Sequence, residues 1–114
     1  MDQLKYISPK YFYVFRIGSS DSNVEQKCVE YDVSYDDLEA RIASRGKTTP
    51  FNYKIGKDKD GDDVFIFVKM LKRFESRGQA VTFMDGYDFA LFDVGGDGYH
   101  DYDTLMVKTI NELD

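Results

Sequence analysis

The sequence predicts a single α+β domain over residues 1–114, built on a mostly antiparallel sheet with the element order β-β-α-β-β-β-β-α. Four observations lead to this prediction. The length of 114 residues suits one domain, and 42% of the residues are hydrophobic, which is typical of a globular chain. Phe and Tyr make up 16% of the residues and occur in short runs between turn-forming residues, as in strands. One segment near the middle has helical periodicity with capping residues at its start.

The first two strands are predicted at 11–17 and 24–33, joined as a hairpin. Residues 11–17 are aromatic and β-branched, which favours a strand. The second strand is predicted because Val29, Tyr31 and Val33 alternate with polar residues, so that one face of the strand would be apolar. Gly, Ser, Asp and Asn residues between the two segments supply a turn.

A helix is predicted from Ser34, which is a good N-cap residue. Asp37 lies three positions later, as in a capping box. Gly46 is placed to end the helix. Residues spaced by three and four positions form its apolar face: Tyr35, Leu38 and Ile42. We therefore expect a short amphipathic helix packed on the sheet.

The third and fourth strands are predicted at 51–55 and from 64 to 68 or beyond. The Asp-rich segment between them resembles a calcium loop, but Asp63 and Lys69 stand where such a loop needs Gly and Glu. It is therefore predicted to be a solvated hairpin turn. Residues 69–78 are compatible with a continued strand or with a helical turn.

Two further strands at 80–84 and 87–94 are predicted to flank Asp85-Gly86, because that dipeptide is a strong hairpin signal. A C-terminal helix is predicted from Asp103, with an apolar face formed by Leu105, Met106, Ile110 and Leu113. A strand in which Leu105, Val107 and Thr109 alternate is the alternative for this segment.

Charge is distributed unevenly along the chain, whose net charge is −6. Residues 1–39 carry −4, residues 40–78 carry +5 and residues 79–114 carry −7. The acidic final third favours a protein partner with a basic surface, and it predicts no direct contact with nucleic acid. The basic residues of the middle third are explained equally well as charges that protect an edge strand, namely Lys69, Lys72, Arg73 and Arg77.

Several classes of protein are excluded by what the sequence lacks. No apolar stretch is long enough to span a membrane, and the first residues do not resemble a signal peptide, so we expect a cytoplasmic protein. One cysteine, Cys28, and one histidine, His100, cannot form an intrachain disulfide or a usual zinc site. No pairing of a nucleophile with a base is evident, so we expect no enzyme activity and no cofactor.

An alternative function depends on the acidic segment 93–103. Asp93, Asp97 and Asp101 lie there with His100, and the glycines among them would let the segment wrap around an ion. Carboxylate oxygens are the ligands that Ca²⁺ and Mg²⁺ prefer. A small hydrolase or nuclease that depends on a divalent metal is therefore the alternative hypothesis.

The most function-like feature is a set of tyrosines among carboxylates in the final third. Tyrosine is enriched at binding interfaces, and carboxylates complement Lys and Arg on a partner. The predicted partner-binding residues are Asp85, Tyr87, Asp88, Asp97, Tyr99, Asp101, Tyr102 and Asp103. The sequence therefore predicts a non-enzymatic inhibitor that occupies the basic surface of a nucleic-acid-processing protein, as viral or phage counter-defence proteins do. A structural homo-oligomeric subunit is a further alternative.

Overall fold

The protein folds as a four-stranded antiparallel sheet with helices on both faces, which confirms the α+β class. The computed structural model describes residues 9–19, 24–45, 50–95 and 102–113. The strand order across the sheet is β2-β3-β1-β4. The elements in chain order are β1 (Tyr11–Gly18), α1 (Val24–Glu30), α2 (Tyr35–Arg45), β2 (Phe51–Lys57), β3 (Asp63–Phe74), α3 (Arg77–Gly95) and β4 (Tyr102–Thr109).

One face of the sheet, which we call the closed face, is covered by α1 and α2. Successive residues of a strand point to opposite faces, so β1 directs Phe15 and Ile17 to this side, where both are fully buried. Their cross-strand partners on β3 are Met70 and Val68. The helices contribute further buried residues to the same cluster: Val24 and Cys28 from α1, and Leu38 and Ile42 from α2. Most of the core therefore lies between the closed face and these two helices.

The opposite face is covered in part by α3. Phe12 and Val14 of β1 form a second buried cluster there with Ala80 of α3. The ring of Phe83 lies 5.3 Å from the ring of Phe74, measured between centroids, so the start of α3 packs where β3 ends. The β2 side of this face is not covered to the same extent.

The helix predicted from Ser34 is α2, and its cap is confirmed. The Asp37 backbone N–H donates to Ser34 Oγ at 3.0 Å, which satisfies one of the free N–H groups at the start of a helix. Leu38 and Ile42 are fully buried against the sheet, as the spacing predicts.

The second predicted strand is wrong, because residues 24–30 form α1. Val24, Lys27 and Cys28 are the buried residues of this helix, at the i, i+3 and i+4 spacing of one helical face. The alternation that favoured a strand has no role in packing α1, since Val29 is 76% exposed.

The hairpin predicted around Asp85-Gly86 is also wrong, because residues 77–95 form α3. Ser76 caps the helix, since its Oγ accepts a bond from the Gln79 N–H at 3.4 Å. Gly86 lies inside the helix with nothing within 4 Å of the position of an added Cβ. The residues that face the sheet follow helical spacing, at Ala80, Phe83, Met84 and Tyr87.

The remaining elements settle the open alternatives. Residues 69–74 continue β3, whose last residue is Phe74. The predicted C-terminal helix is wrong and the alternative strand is confirmed, because β4 alternates with Leu105 and Val107 buried. The element order predicted above is therefore wrong, although the class is right. The Asp-rich segment forms the β2–β3 turn, where Asp58 Oδ1 accepts from the backbone N–H groups of Asp60 and Asp62.

Candidate interaction surfaces

The predicted partner-binding residues are distributed between two elements. Asp85, Tyr87 and Asp88 lie on α3, and Tyr102 and Asp103 begin β4. The remaining three lie outside the described residues: Asp97, Tyr99 and Asp101.

Two of these residues on α3 contact the sheet instead of extending into solvent. The Asp88 carboxylate accepts a hydrogen bond from the Thr104 hydroxyl at 3.0 Å. Arg16 donates to the Tyr87 hydroxyl at 3.5 Å. Burial raises the pKa of Asp88, which the bond from Thr104 opposes and the charges of Asp103 and Asp85 reinforce. These contacts fix the middle of α3 on β1 and β4.

Asp103 has the corresponding role on the closed face. Its carboxylate accepts a hydrogen bond from the Tyr35 hydroxyl at 3.0 Å, at the start of α2. Burial raises the pKa of Tyr35, and the Asp103 carboxylate raises it further. Asp103 and Thr104 are consecutive residues of β4, so they point to opposite faces and each anchors a helix. The structure therefore does not bring Asp88 and Asp103 together on one open surface.

The most acidic exposed surface that the structure describes is the outer side of α1 and α2. We call it the acidic helix surface, and its exposed carboxylates are Glu25, Glu30, Asp32, Asp36 and Asp37. Two of the three cations of these helices contact β2, since Arg41 and Arg45 lie 5.9 Å and 4.3 Å from the ring centroids of residues in that strand. The third, Lys27, is buried, and its Nζ lies 3.8 Å from Glu30 Oε1, so it pairs with one carboxylate of this surface. The surface is therefore negative over both helices.

The part of the sheet left uncovered by α3 has the opposite charge. We call it the uncovered half, formed by Asn52, Lys54 and Lys57 of β2 and Phe65, Phe67 and Lys69 of β3. The strand register pairs Lys54 with Phe65 and Asn52 with Phe67, which places all four on this face. Phe65 is 42% exposed. Asp63 contacts both lysines of β2, at 3.2 Å from Lys54 Nζ and 3.0 Å from Lys57 Nζ.

A groove of about 710 Å³ borders the uncovered half. It lies where β1 ends at Gly18 while β3 continues along β2. Phe65 and Phe67 line it together with Asn52, and Tyr31 of the α1–α2 turn lines it from the closed face. The two phenylalanine rings therefore lie in a concave part of the surface at the end of the sheet.

Among the residues that the structure describes, the metal-ligating side chains form no cluster and the single cysteine is buried. No group of three or more His, Cys, Asp or Glu side chains comes together within them in a way that would hold an ion. Of the alternative metal ligands, Asp97 and Asp101 lie outside those residues, as does His100, and Asp93 falls within the last turns of α3. Cys28 is buried in the core, and burial raises the pKa of its thiol, which disfavours the reactive thiolate.

Comparison of the chain with protein-family models, with curated proteins and with solved structures gives no match. Within the described ranges, none of the helices combines the length and apolar content needed to cross a membrane.

Sequence reasoning did not identify either of these two charged surfaces. The signal for the uncovered half is present in β3, where Phe65, Phe67 and Lys69 alternate with Ile66 and Val68. Both faces of this strand carry apolar side chains, Phe65 and Phe67 on one and Ile66 and Val68 on the other. Only the strand register shows which of these faces meets α1 and α2 and which points outwards. The acidic helix surface was not predicted because residues 24–33 were assigned to a strand. That assignment does not place Glu25 and Glu30 beside the carboxylates of α2.

Proposed function

We propose that the protein is a non-enzymatic binding protein that occupies the basic surface of a protein partner through the acidic helix surface. The observation that carries this proposal is Val29, which is 76% exposed on α1. Glu25 and Glu30 flank it on the same helix, and Asp32 follows in the next turn. An apolar side chain surrounded by charged ones matches the centre and rim of a protein interface.

Electrostatics supports the choice of partner. Carboxylates over two helices accelerate encounter with a surface rich in Lys and Arg, and they disfavour acidic partners. Large basic surfaces are typical of proteins that bind nucleic acid. In this proposal the partner is therefore a nucleic-acid-processing protein in the cytoplasm, and binding blocks its access to nucleic acid, as small viral counter-defence inhibitors do. The buried free thiol of Cys28 suits that reducing compartment.

The test is capture of partners from a native lysate treated with nuclease, read by mass spectrometry. The wild-type chain is compared with a Glu25→Lys/Asp36→Lys variant, which reverses two charges on the acidic helix surface. The matched control is Asp60→Lys/Asp62→Lys, which makes the same change of charge in the exposed β2–β3 turn. Circular dichroism verifies that both variants fold.

We expect a stoichiometric protein partner that survives nuclease, is released by added salt and is lost with the α1–α2 variant but kept by the turn variant. If the partner is an enzyme, the wild-type chain and the turn variant inhibit it and the α1–α2 variant does not. Equal capture by all three chains would refute the proposed surface.

A further inference from the structure

The uncovered half presents two phenylalanines on an inner strand. β3 lies between β2 and β1, so its backbone is paired on both sides from Phe67 onwards, whereas at Phe65, beyond the end of β1, it is paired with β2 alone. Side chains of such a strand normally meet a second layer, as Ile66 and Val68 meet the helices on the closed face. On the other face, Phe65 is 42% exposed and Phe67 is half-buried. Exposed apolar rings in this position are characteristic of a binding surface.

Cations surround these two rings. Lys54 is the cross-strand neighbour of Phe65, and Lys69 follows Phe67 by two residues on the same face. Arg16 of β1 is paired with Lys69 and extends the positive charge towards α3. Lys57 adds a further charge near the turn, and Asp63 is the only carboxylate in β2 or β3. The four cations therefore outweigh the single acidic group of these strands. Glu30 and Asp58 also line the groove, and Lys27 and Lys59 line it with them, so the balance of charge around the rings stays positive.

We propose that the uncovered half binds a single-stranded nucleic acid, with bases stacked on Phe65 and Phe67 and phosphates on the surrounding lysines. The two rings are separated by two residues of one strand, or roughly 6.6 Å, so they can stack with neighbouring bases. Base stacking on aromatic side chains within a positively charged groove is how proteins hold single strands with little regard to sequence.

The chemistry of the surface favours this occupant over two others. An acidic peptide would use the lysines, but aromatic faces are not a regular part of its chain, whereas every nucleotide of a single strand supplies one. A duplex has its base faces stacked internally and offers only its backbone and groove edges. The net charge of −6 does not oppose this proposal, because four of the five exposed carboxylates of α1, α2 and the turn between them lie across the sheet from the uncovered half, and only Glu30 of this group lines the groove.

The test is fluorescence anisotropy with a labelled oligothymidylate, an oligouridylate of equal length and a duplex. A length of about 15 nucleotides exceeds or matches the site of one small domain. With about three phosphates contacted, we expect affinity for the single strands to fall roughly tenfold to twentyfold between about 50 and 200 mM salt. The duplex should bind at least tenfold more weakly than either single strand.

Variants then separate the rings from the charges. Phe65→Ala should weaken single-strand binding by roughly tenfold or more, whereas Phe65→Tyr, which keeps the ring, should bind nearly as the wild type does. Lys69→Glu should weaken binding and flatten its salt dependence. The matched controls are Phe89→Ala, which removes a ring that is 71% exposed on α3, and Lys108→Glu, which reverses an exposed charge on β4. Neither control should change the affinity.

Three results would overturn the proposal. The first is no binding of either single strand at low salt by the folded protein. The second is binding that Phe65→Ala leaves unchanged, since the rings would then have no part in it. The third is a dimer in sedimentation that Phe65→Ala and Lys69→Glu both dissociate, which would assign the uncovered half to a second copy of the chain. The proposed function of the acidic helix surface is tested separately, because Glu25→Lys/Asp36→Lys leaves the uncovered half intact.

Discussion

The two faces of one sheet use the same residue type for different purposes. Phe15 of β1 points to the closed face and is fully buried, whereas Phe65 of β3 points to the other face and is 42% exposed. Phe15 is paired on both sides, with Met70 of β3 and Leu105 of β4, whereas Phe65 lies beyond the end of β1 and is paired with β2 alone. The cover differs as well: α1 and α2 cover the closed face, and α3 covers the other face only beside β1, β4 and the end of β3 at Phe74. Most of the buried apolar side chains that stabilise the fold lie on the closed face, and part of the other face is left available for contact.

The sharpest test of this comparison is truncation of each ring. Phe15→Ala should lower the free energy of unfolding by about 3–5 kcal/mol, because it leaves a cavity in a closed core. Phe65→Ala should lower it by about 1 kcal/mol or less, because its side chain is already partly in water. Urea unfolding followed by circular dichroism measures both. Equal losses would show that the two faces are equally closed.

A second prediction concerns close packing on the closed face. A Cβ added to Gly56 of β2 would lie 2.8 Å from Cδ2 of the Tyr31 ring. Gly56→Ala should therefore lower the free energy of unfolding by about 1–3 kcal/mol, since overpacking forces the ring to move. In a Tyr31→Ala background the same substitution should cost much less, and a double-mutant cycle measures the difference. Additive costs would show that the two residues do not touch.

A third prediction distinguishes α3 from the hairpin that Asp85-Gly86 suggested. Gly86→Ala should raise the free energy of unfolding by about 0.5–1 kcal/mol, because alanine favours a helix interior and nothing obstructs its Cβ. In a tight hairpin turn the same change would destabilise the fold, since such turns need a residue with positive φ. Thermal unfolding of the two chains therefore reports the conformation of this segment directly.

The smallest predicted effect depends on pH and concerns the anchor of α3. The pKa of Asp88 is raised from its ordinary value of 3.8, because burial disfavours the charged carboxylate. Because the folded chain binds the Asp88 proton more tightly than the unfolded chain does, protonation of Asp88 stabilises the fold at low pH. This stabilisation is lost as the pH rises through the raised pKa. Asp88→Asn removes the ionisation while keeping an oxygen for Thr104.

The advantage of Asp88→Asn over the wild-type chain should therefore grow as the pH rises from about 3.8 towards neutrality. Urea unfolding at a series of pH values measures this difference between the two chains. An advantage that shrinks with rising pH would contradict the assigned environment of Asp88.

Elements whose local signals agree with their tertiary environment could be predicted from the sequence. The helix α2 has both a cap at Ser34 and apolar residues at helical spacing, and β1 has a run of aromatic and β-branched residues. In α1 two patterns coexist, since Val24 and Cys28 follow helical spacing while Val29, Tyr31 and Val33 alternate. Packing of Val24 and Cys28 in the core selects the helix over the strand. That packing cannot be predicted from the local sequence.

The charged surfaces could not be predicted for a related reason. Charge averaged along the chain made the final third the candidate site, but Asp88 and Asp103 of that third contact Thr104 and Tyr35 in the folded chain. The uncovered half combines residues of β2 and β3 whose common face depends on register and on the position of α3. Those are tertiary properties, which neither composition nor spacing records.

The pairing of β1 with β4 has a consequence for how the molecule forms during synthesis. The Leu113 N–H donates to the Tyr13 hydroxyl, and these two residues are 100 positions apart. β1 is an inner strand, so one of its two sides stays unpaired until β4 has been made and has left the ribosome. Closing so long a separation slows folding and leaves an apolar strand edge exposed meanwhile. A ribosome-bound chain that stops before residue 102 should therefore depend on chaperones to a degree that a chain containing β4 does not.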